Sequence, residues 1–574
     1  MSKPLRMVHH KFPLSTLSSA LVLALCGVSS AIWAQTPGTP AAPDAGQVLR
    51  DLQQAPGLAP APVPPLQRIE ESTDPSQDPQ GKVLVKSVVI TGNQEIPTAQ
   101  LQPLVASLVG TERSLAQLSA AARRLTAHYR AQGFAVARAY LPAQDITDGV
   151  ITIAIIEGRI ARHKINNQAR LSNDRASAYF GSVKDGDVIR AEQIDRGLLI
   201  LQDTPGVASS RATLQPGASV GTSELLIDVL GAPAYNGNAT LDNHGSRYTG
   251  EYRAGANLNL ASPLKIGDQL SFGALTSGSQ LTFGRIAYQL PVGSDGWRIG
   301  AAYFGVHYKL GKEFEALQAH GTASSTSIFA SYPFIRSQLA NLYGTLSHEE
   351  KRLDDQVEAT LTRTAKHVGV SSLGLSGKLQ DTLGGGGISN AELTLAMGSL
   401  QINSPSALAI DAASAQTSGG YSKVAYSASR LQRLTNESLL FFSVTGQQAS
   451  KNLDSSEKFS LGGPSGVRAY PTAEAGGDEG YRATLELRHS FTPQWQGALF
   501  YDMGEVKINK RPFGAPGNPN KRALAGAGVG LNANIAAVQL KASLAWRTHG
   551  GQPTSIPASS VKSPTLWVQA VVAF

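Results

Sequence analysis

The chain has 574 residues, 16% of them charged, and a formal net charge of +8. That length permits several domains. After residue 35 no apolar run reaches the ~20 residues of a membrane helix, and no basic stripe with interleaved aromatics argues for nucleic acid as a partner.

Residues 1–34 read as a secretory signal peptide. Lys3, Arg6 and Lys11 form its positive end, Leu21 to Val28 its apolar core, and Ala31-Ile-Trp-Ala34 its cleavage site. The run is too short for a membrane anchor, and bulky Leu25 weakens a lipoprotein reading through Cys26. Removal of this segment takes away three cations, leaving about +5, and the only cysteine, Cys26. The mature chain then has no disulfide, thiolate metal site or cysteine nucleophile.

Within the N-terminal segment 35–54, residues 43–54 form a helix candidate. Asp44 can cap it, and Val48, Leu49 and Leu52 share a face. Residues 55–81 are a linker that five prolines from Pro56 to Pro65 stiffen. Residues 82–158 then read as strand, helix, helix, strand, strand. VLVKSVVI opens the unit, Ser114 starts the second helix, and Val150 to Ile156 closes it. Residues 159–232 repeat that order, and two tandem copies of one α/β unit say more than either alone.

From 233 to 574 strands of roughly 9–11 residues alternate apolar and polar side chains, with no helix longer than a couple of turns. Segments 481–490, 538–547 and 565–574 alternate most cleanly. Such alternation suits a barrel wall with lipid on one face and a wet lumen on the other. A soluble sandwich also alternates, but terminal Phe574, the signal peptide and the unbroken hairpin series favour a barrel. The fold class is therefore α+β periplasmic modules followed by an all-β transmembrane barrel of sixteen antiparallel strands. A barrel that wide is not filled by its own side chains, so a plug or an inserted loop is expected.

In the strand 494–504, Gln494, Gln496, Ala498, Phe500, Asp502 and Gly504 share one parity, which the glutamines mark as lumenal. The Gly-rich segment from Leu461 through Val467, Arg468, Ala469 and Tyr470 to Glu479 is too long for a hairpin turn. Folded inward, it could present Arg468 to Asp502 as a bidentate pair, whose best-attested use is to fix one arrangement or to switch between two.

The residues LGGPSGVRAYP, GYRATLELRH and FYDMG resemble the two-partner secretion transporters of the TpsB/ShlB/FhaC/HecB type, within the superfamily of POTRA-plus-barrel pores. Val467, Arg468 and Tyr470 match its VRG[YF] loop-tip motif, and Phe500, Asp502 and Gly504 its F-x-D-x-G strand motif. Ala469 stands where the family has glycine. The resemblance implies a pore in the outer membrane with its N-terminal POTRA modules in the periplasm. It also implies a plug-like helix carrying Val48, Leu49 and Leu52, a latch between loop and barrel, and an unfolded haemolysin- or adhesin-like exoprotein as partner. Outer-membrane lipid is a second partner, and the barrel-assembly machinery, reached through the C-terminal strand ending at Phe574, is a third.

Other functions fare less well. The eleven histidines form no His-Glu-x-x-His spacing, and no phosphate-binding P-loop is present. No enzyme activity, catalytic residue, metal or cofactor is expected. A passive porin would need neither tandem modules nor a tethered helix. A barrel-assembly factor of the same superfamily shares the Arg and Asp motifs, but two modules and a plug-like helix favour secretion.

Overall fold

The computed structural model describes residues 42–53, 81–146, 148–514 and 519–574. The expected signal segment, and all of the Pro-rich linker except Gly81, lie outside the described residues.

The first α/β unit places Ser87–Thr91 parallel to Val150–Ile156, with Arg138–Tyr140 antiparallel on the other side. Helices Thr98–Val105 and Leu115–Ala131 cover one face. The second starts at a capping box made by Ser114 and Gln117. The opening strand differs from expectation. Lys82–Leu84 leaves the main sheet to pair with Glu112–Ser114, so the continuous VLVKSVVI run is split at Val85. Val85 is buried in the core between the two pieces. The strand after the second helix is the short Arg138–Tyr140, and Phe134 ahead of it packs against Tyr129.

The second unit repeats the plan. Arg159–Asn167 runs parallel to Thr222–Gly231, and Val207–Pro216 pairs antiparallel with the latter. Asn173–Ala178 and Ala191–Gln202 are its helices.

Sixteen antiparallel strands, from Tyr235–Asp242 to Thr565–Ala573, close into a barrel. The seam pairs Gln569 with Asp242 through to Ala573 with Asn238. Phe574 extends it by exchanging backbone hydrogen bonds with Gly237 at 2.9 and 3.0 Å. A side chain at Gly237 would strike the Phe574 ring, so the glycine makes room for the terminal aromatic.

Two expectations about the wall need correction. Several strands far exceed 9–11 residues: Ala340–Val357 has 18 and Thr362–Asp381 has 20. Spanning the hydrocarbon needs only about 9–11, so these strands continue beyond it on the side away from the modules. A nine-residue helix, Pro405–Ala413, also interrupts the hairpin series, opened by proline in its first turn.

The second unit is bolted to the periplasmic rim. Asp203, at the end of helix Ala191–Gln202, accepts from Arg336 Nε and Nη2, both at 2.7 Å, and from Tyr343 Oη at 3.1 Å. Arg298 donates to the Asp203 carbonyl, and Arg196 reaches the carbonyl of Pro333 at 3.1 Å. Replacing Asp203 by Ala leaves a largely buried guanidinium without its carboxylate. The expected loss is about 2 kcal/mol at this contact. Hydrogen exchange in turns 262–268 and 333–339 should rise roughly thirtyfold, with the barrel intact. Unchanged exchange would show that the clamp does not hold the unit.

Candidate functional site: the filled lumen and its arginine latch

Strand Trp495–Lys507 shows the expected parity. Ala498, Phe500 and Asp502 are buried on the lumenal side, while Leu499, Tyr501 and Met503 are exposed outward. The long connection between Ser438–Ala449 and Glu479–Ser490 folds back into the lumen and brings Arg468 onto this strand. Arg468 Nε and Nη2 donate to the two carboxylate oxygens of Asp502 at 2.8 and 2.9 Å, and the Arg468 backbone N–H adds a third bond at 3.1 Å. The guanidinium also lies over the Phe500 ring, 3.3 Å from its centroid, a cation–π contact strengthened by exclusion of water.

Three partners of the loop tip and one of Asp502 were not foreseen. Glu486 accepts from Arg468 Nη1 at 2.8 Å, and Thr484 Oγ1 donates to Asp502 at 2.9 Å. Trp567 Nε1 donates to the Arg468 carbonyl at 2.8 Å, and Thr565 Oγ1 to that of Ala469 at 3.0 Å. The first pair was within reach of the sequence. Residues 491–494 form the hairpin turn, which sets Thr484 opposite Asp502 and Glu486 opposite Phe500. The second pair depends on barrel closure, which no local pattern reveals. Burial works against the charge of Arg468, but Asp502 and Glu486 more than offset it and push its pKa up.

The other motif residues are brought to the same place. Val467 and Tyr470 are fully buried with Leu461, Phe500 and Val506. Tyr470 Oη donates toward the carbonyls of His549 at 2.7 Å and Gly551 at 2.9 Å. A side chain at Gly504 would collide with Leu461 of the loop and with the Tyr481 carbonyl. Ala469 is not among the residues with positive φ, so alanine is unstrained there. Its methyl sits against Gly526, where an added Cβ would come within 2.4 Å of it. The space that Ala469 takes is thus vacated by a glycine on the wall, beside a bulge at Ala525 and Gly526.

The helix Ala45–Gln53 also lies inside the barrel. Asp44 caps it, accepting from Gln47 N at 2.9 Å. Val48 and Leu49 are buried among lumenal Phe304, Tyr308, Leu353 and Val368, and Leu52 packs at the edge. Its polar contacts reach both the wall, where Asp355 accepts from Ala45 N at 2.7 Å and Glu349 from Gln53 at 3.0 Å, and the same long loop. Ser455 Oγ donates to Asp44 at 2.6 Å, and Arg50 Nη1 donates to the Ser455 carbonyl at 3.1 Å. Gly46 passes so close that an added Cβ would lie 2.5 Å from Ser455 Oγ. Two residues on, Glu457 is buried between Lys351 and Lys423, each at 2.7 Å. Burial opposes its charge, but the two lysines prevail and hold the carboxyl down at about 2.

Tandem α/β modules leading into a sixteen-stranded barrel, its lumen occupied by a helix and a latched loop, define an outer-membrane barrel transporter. Residues 83–158 match the POTRA domain of ShlB type. Residues 221–533 match the family described as haemolysin secretion/activation protein ShlB/FhaC/HecB, and the chain belongs to that family. It is similar to the heme/hemopexin transporter protein HuxB of Haemophilus influenzae, 28% identical over 82% of this chain and 84% of that protein. It is also similar to the outer membrane transporter CdiB of Dickeya dadantii, 23% identical over 70% of each chain. Among solved structures, CdiB from Escherichia coli shares the fold with a TM-score of 0.68 at 19% identity, over 89% of this chain and 94% of that one.

Replacing Asp502 by Arg sets two cations against each other in a water-poor site. Breaking such a pair costs about 3–5 kcal/mol, so the loop should undock. Export of the partner exoprotein should fall at least tenfold while the folded barrel remains in the membrane. Normal export by this variant would remove the latch from the mechanism.

Proposed function

We propose that this outer-membrane pore takes one large exoprotein, presented unfolded in the periplasm, and passes it through the barrel to the cell surface or the medium. The observation that carries the reading is the way the lumen is closed. Neither the helix Ala45–Gln53 nor the loop 450–478 belongs to the wall, and both meet at Ser455. Displacing one loosens the other, so the channel opens as a unit. The chain between residues 53 and 81 can extend to about 90 Å, which lets the helix leave without unfolding the first α/β unit.

In this reading the latch of Val467, Arg468, Tyr470, Phe500, Asp502 and Gly504 sets the resting position of the loop. The helix face of Val48, Leu49 and Leu52 acts as the plug. The two α/β units hold the cargo by adding its extended segments to a free sheet edge. No P-loop supplies energy, so folding of the cargo outside the cell drives passage. Two further partners belong to the same reading: outer-membrane lipid around the barrel, and the barrel-assembly machinery, which reads the last strand and Phe574.

Co-expression of the chain with a candidate exoprotein, followed by assay of the medium, tests the function. Deleting 82–231 should abolish release of the exoprotein, and full release by the deletion would refute capture by these units. Deleting 45–53 should raise resting conductance in planar bilayers several-fold, and an unaltered conductance would rule out the plug.

A further inference from the structure

The long strands that rise past the hydrocarbon carry an outward groove that neither the latch nor the plug uses. It is a concavity of about 710 Å³ on the outer wall, away from the periplasmic modules. Its floor is one continuous row of paired residues across six strands: Gly284, Gly305, Ser324, Arg352, His367 and Gln401. His307 stands in the next row up, beside Gly305 and paired with Thr322. One row nearer the periplasm, Ile286 and Tyr303 are exposed, in a row that ends in Thr326 and Glu350 on the next two strands, with exposed Ile328 below it. An exposed aromatic at that height marks the interface between hydrocarbon and headgroups.

Two features point to a ligand. Arg352 is exposed and has no hydrogen-bond or ion-pair partner among the described residues. Of the nearby anions, Asp354 is paired with Arg363 at 2.7 Å, and one oxygen of Glu350 meets His348 at 2.9 Å, while its other oxygen has no hydrogen-bond partner among the described residues. The second feature is the floor. Glycine weakens a strand and usually marks a bulge or a close approach. Neither reason applies here, since a Cβ at Gly284 would meet nothing within 4 Å and one at Gly305 only Tyr303 Oη at 3.8 Å. Both have ordinary negative-φ backbone. What their missing side chains preserve is the groove itself.

We propose that this groove binds a phosphate-bearing lipid headgroup of the outer leaflet. The phosphate meets the Arg352 guanidinium, whose planar donors suit it. His307 and Ser324 border it, and the acyl chains run down over Tyr303, Ile286 and Ile328. The site is distinct from the general lipid contact of the barrel, because it selects by charge and shape at one place on the wall.

Native mass spectrometry of the full-length protein, extracted from its outer membrane in mild detergent, tests this. The wild type should retain one phosphate-bearing lipid. Arg352→Glu, which repels phosphate, and Gly284→Val, which fills the floor with a residue strands favour, should each retain at least tenfold less. Arg430→Ala, at the periplasmic end and paired with Asp381, should retain as much as the wild type. A delipidated wild type should regain that lipid from vesicles of the extracted outer-membrane lipid, and an equal concentration of inorganic phosphate should not displace it. Equal retention by Arg352→Glu and Gly284→Val overturns the proposal, as does equal loss in Arg430→Ala or displacement by inorganic phosphate. Migration of folded and heat-unfolded barrels on gels confirms that each variant is folded.

Discussion

A barrel of sixteen strands encloses more space than its inward side chains can fill, and the buried charge of Arg468 organises what fills it. A guanidinium with little access to water must have anions in reach. Asp502 supplies two oxygens and Glu486 a third contact, both from adjacent lumenal positions of one hairpin. Once that cation is seated, Phe500 lies beneath it, Tyr470 reaches the far wall, and Leu461 presses on Gly504. The loop is thereby held at its tip by charge and along its length by burial.

The same loop is held a second time near its start, where Glu457 sits between two lysines and Ser455 meets the N-terminal helix. The two anchorages differ in kind. At the tip, one cation is shared by two carboxylates. Near the start, one carboxylate is shared by two cations. Neither cluster keeps an odd charge, because Glu486 also accepts from Arg488 at 2.7 Å and Lys351 also pairs with Glu349 at 3.4 Å; the best-attested use of such buried pairs is to fix one arrangement. In the proposed function, a channel that stays closed until its cargo arrives needs one fixed resting arrangement more than it needs net stability.

Much of this was legible in the residues. Alternation on 494–504 placed Asp502 and Phe500 on the lumenal side, the length and composition of 461–479 argued for an inward loop, and Asp44 was recognisable as a cap. The partners contributed by distant strands were not legible. Trp567 and Thr565 reach the loop tip only because the last strand closes on the first. Nor could composition foretell that Ala469 is accommodated by Gly526, since that compensation joins residues on two elements whose approach depends on closure of the whole barrel.

What the sequence determined by itself was local and periodic: two tandem α/β units, sixteen amphipathic strands, which side of each faces water, and a capped helix. Those follow from hydrogen bonding and side-chain alternation between near neighbours. Tertiary structure alone decided where the helix lodges, that Asp203 clamps the second unit to Arg336, how far strands such as Thr362–Asp381 run past the hydrocarbon, and which glycines keep a groove open on the outer wall. The physical reason is range. Periodicity is set by residues a few positions apart, whereas these contacts join groups that only a closed barrel brings together.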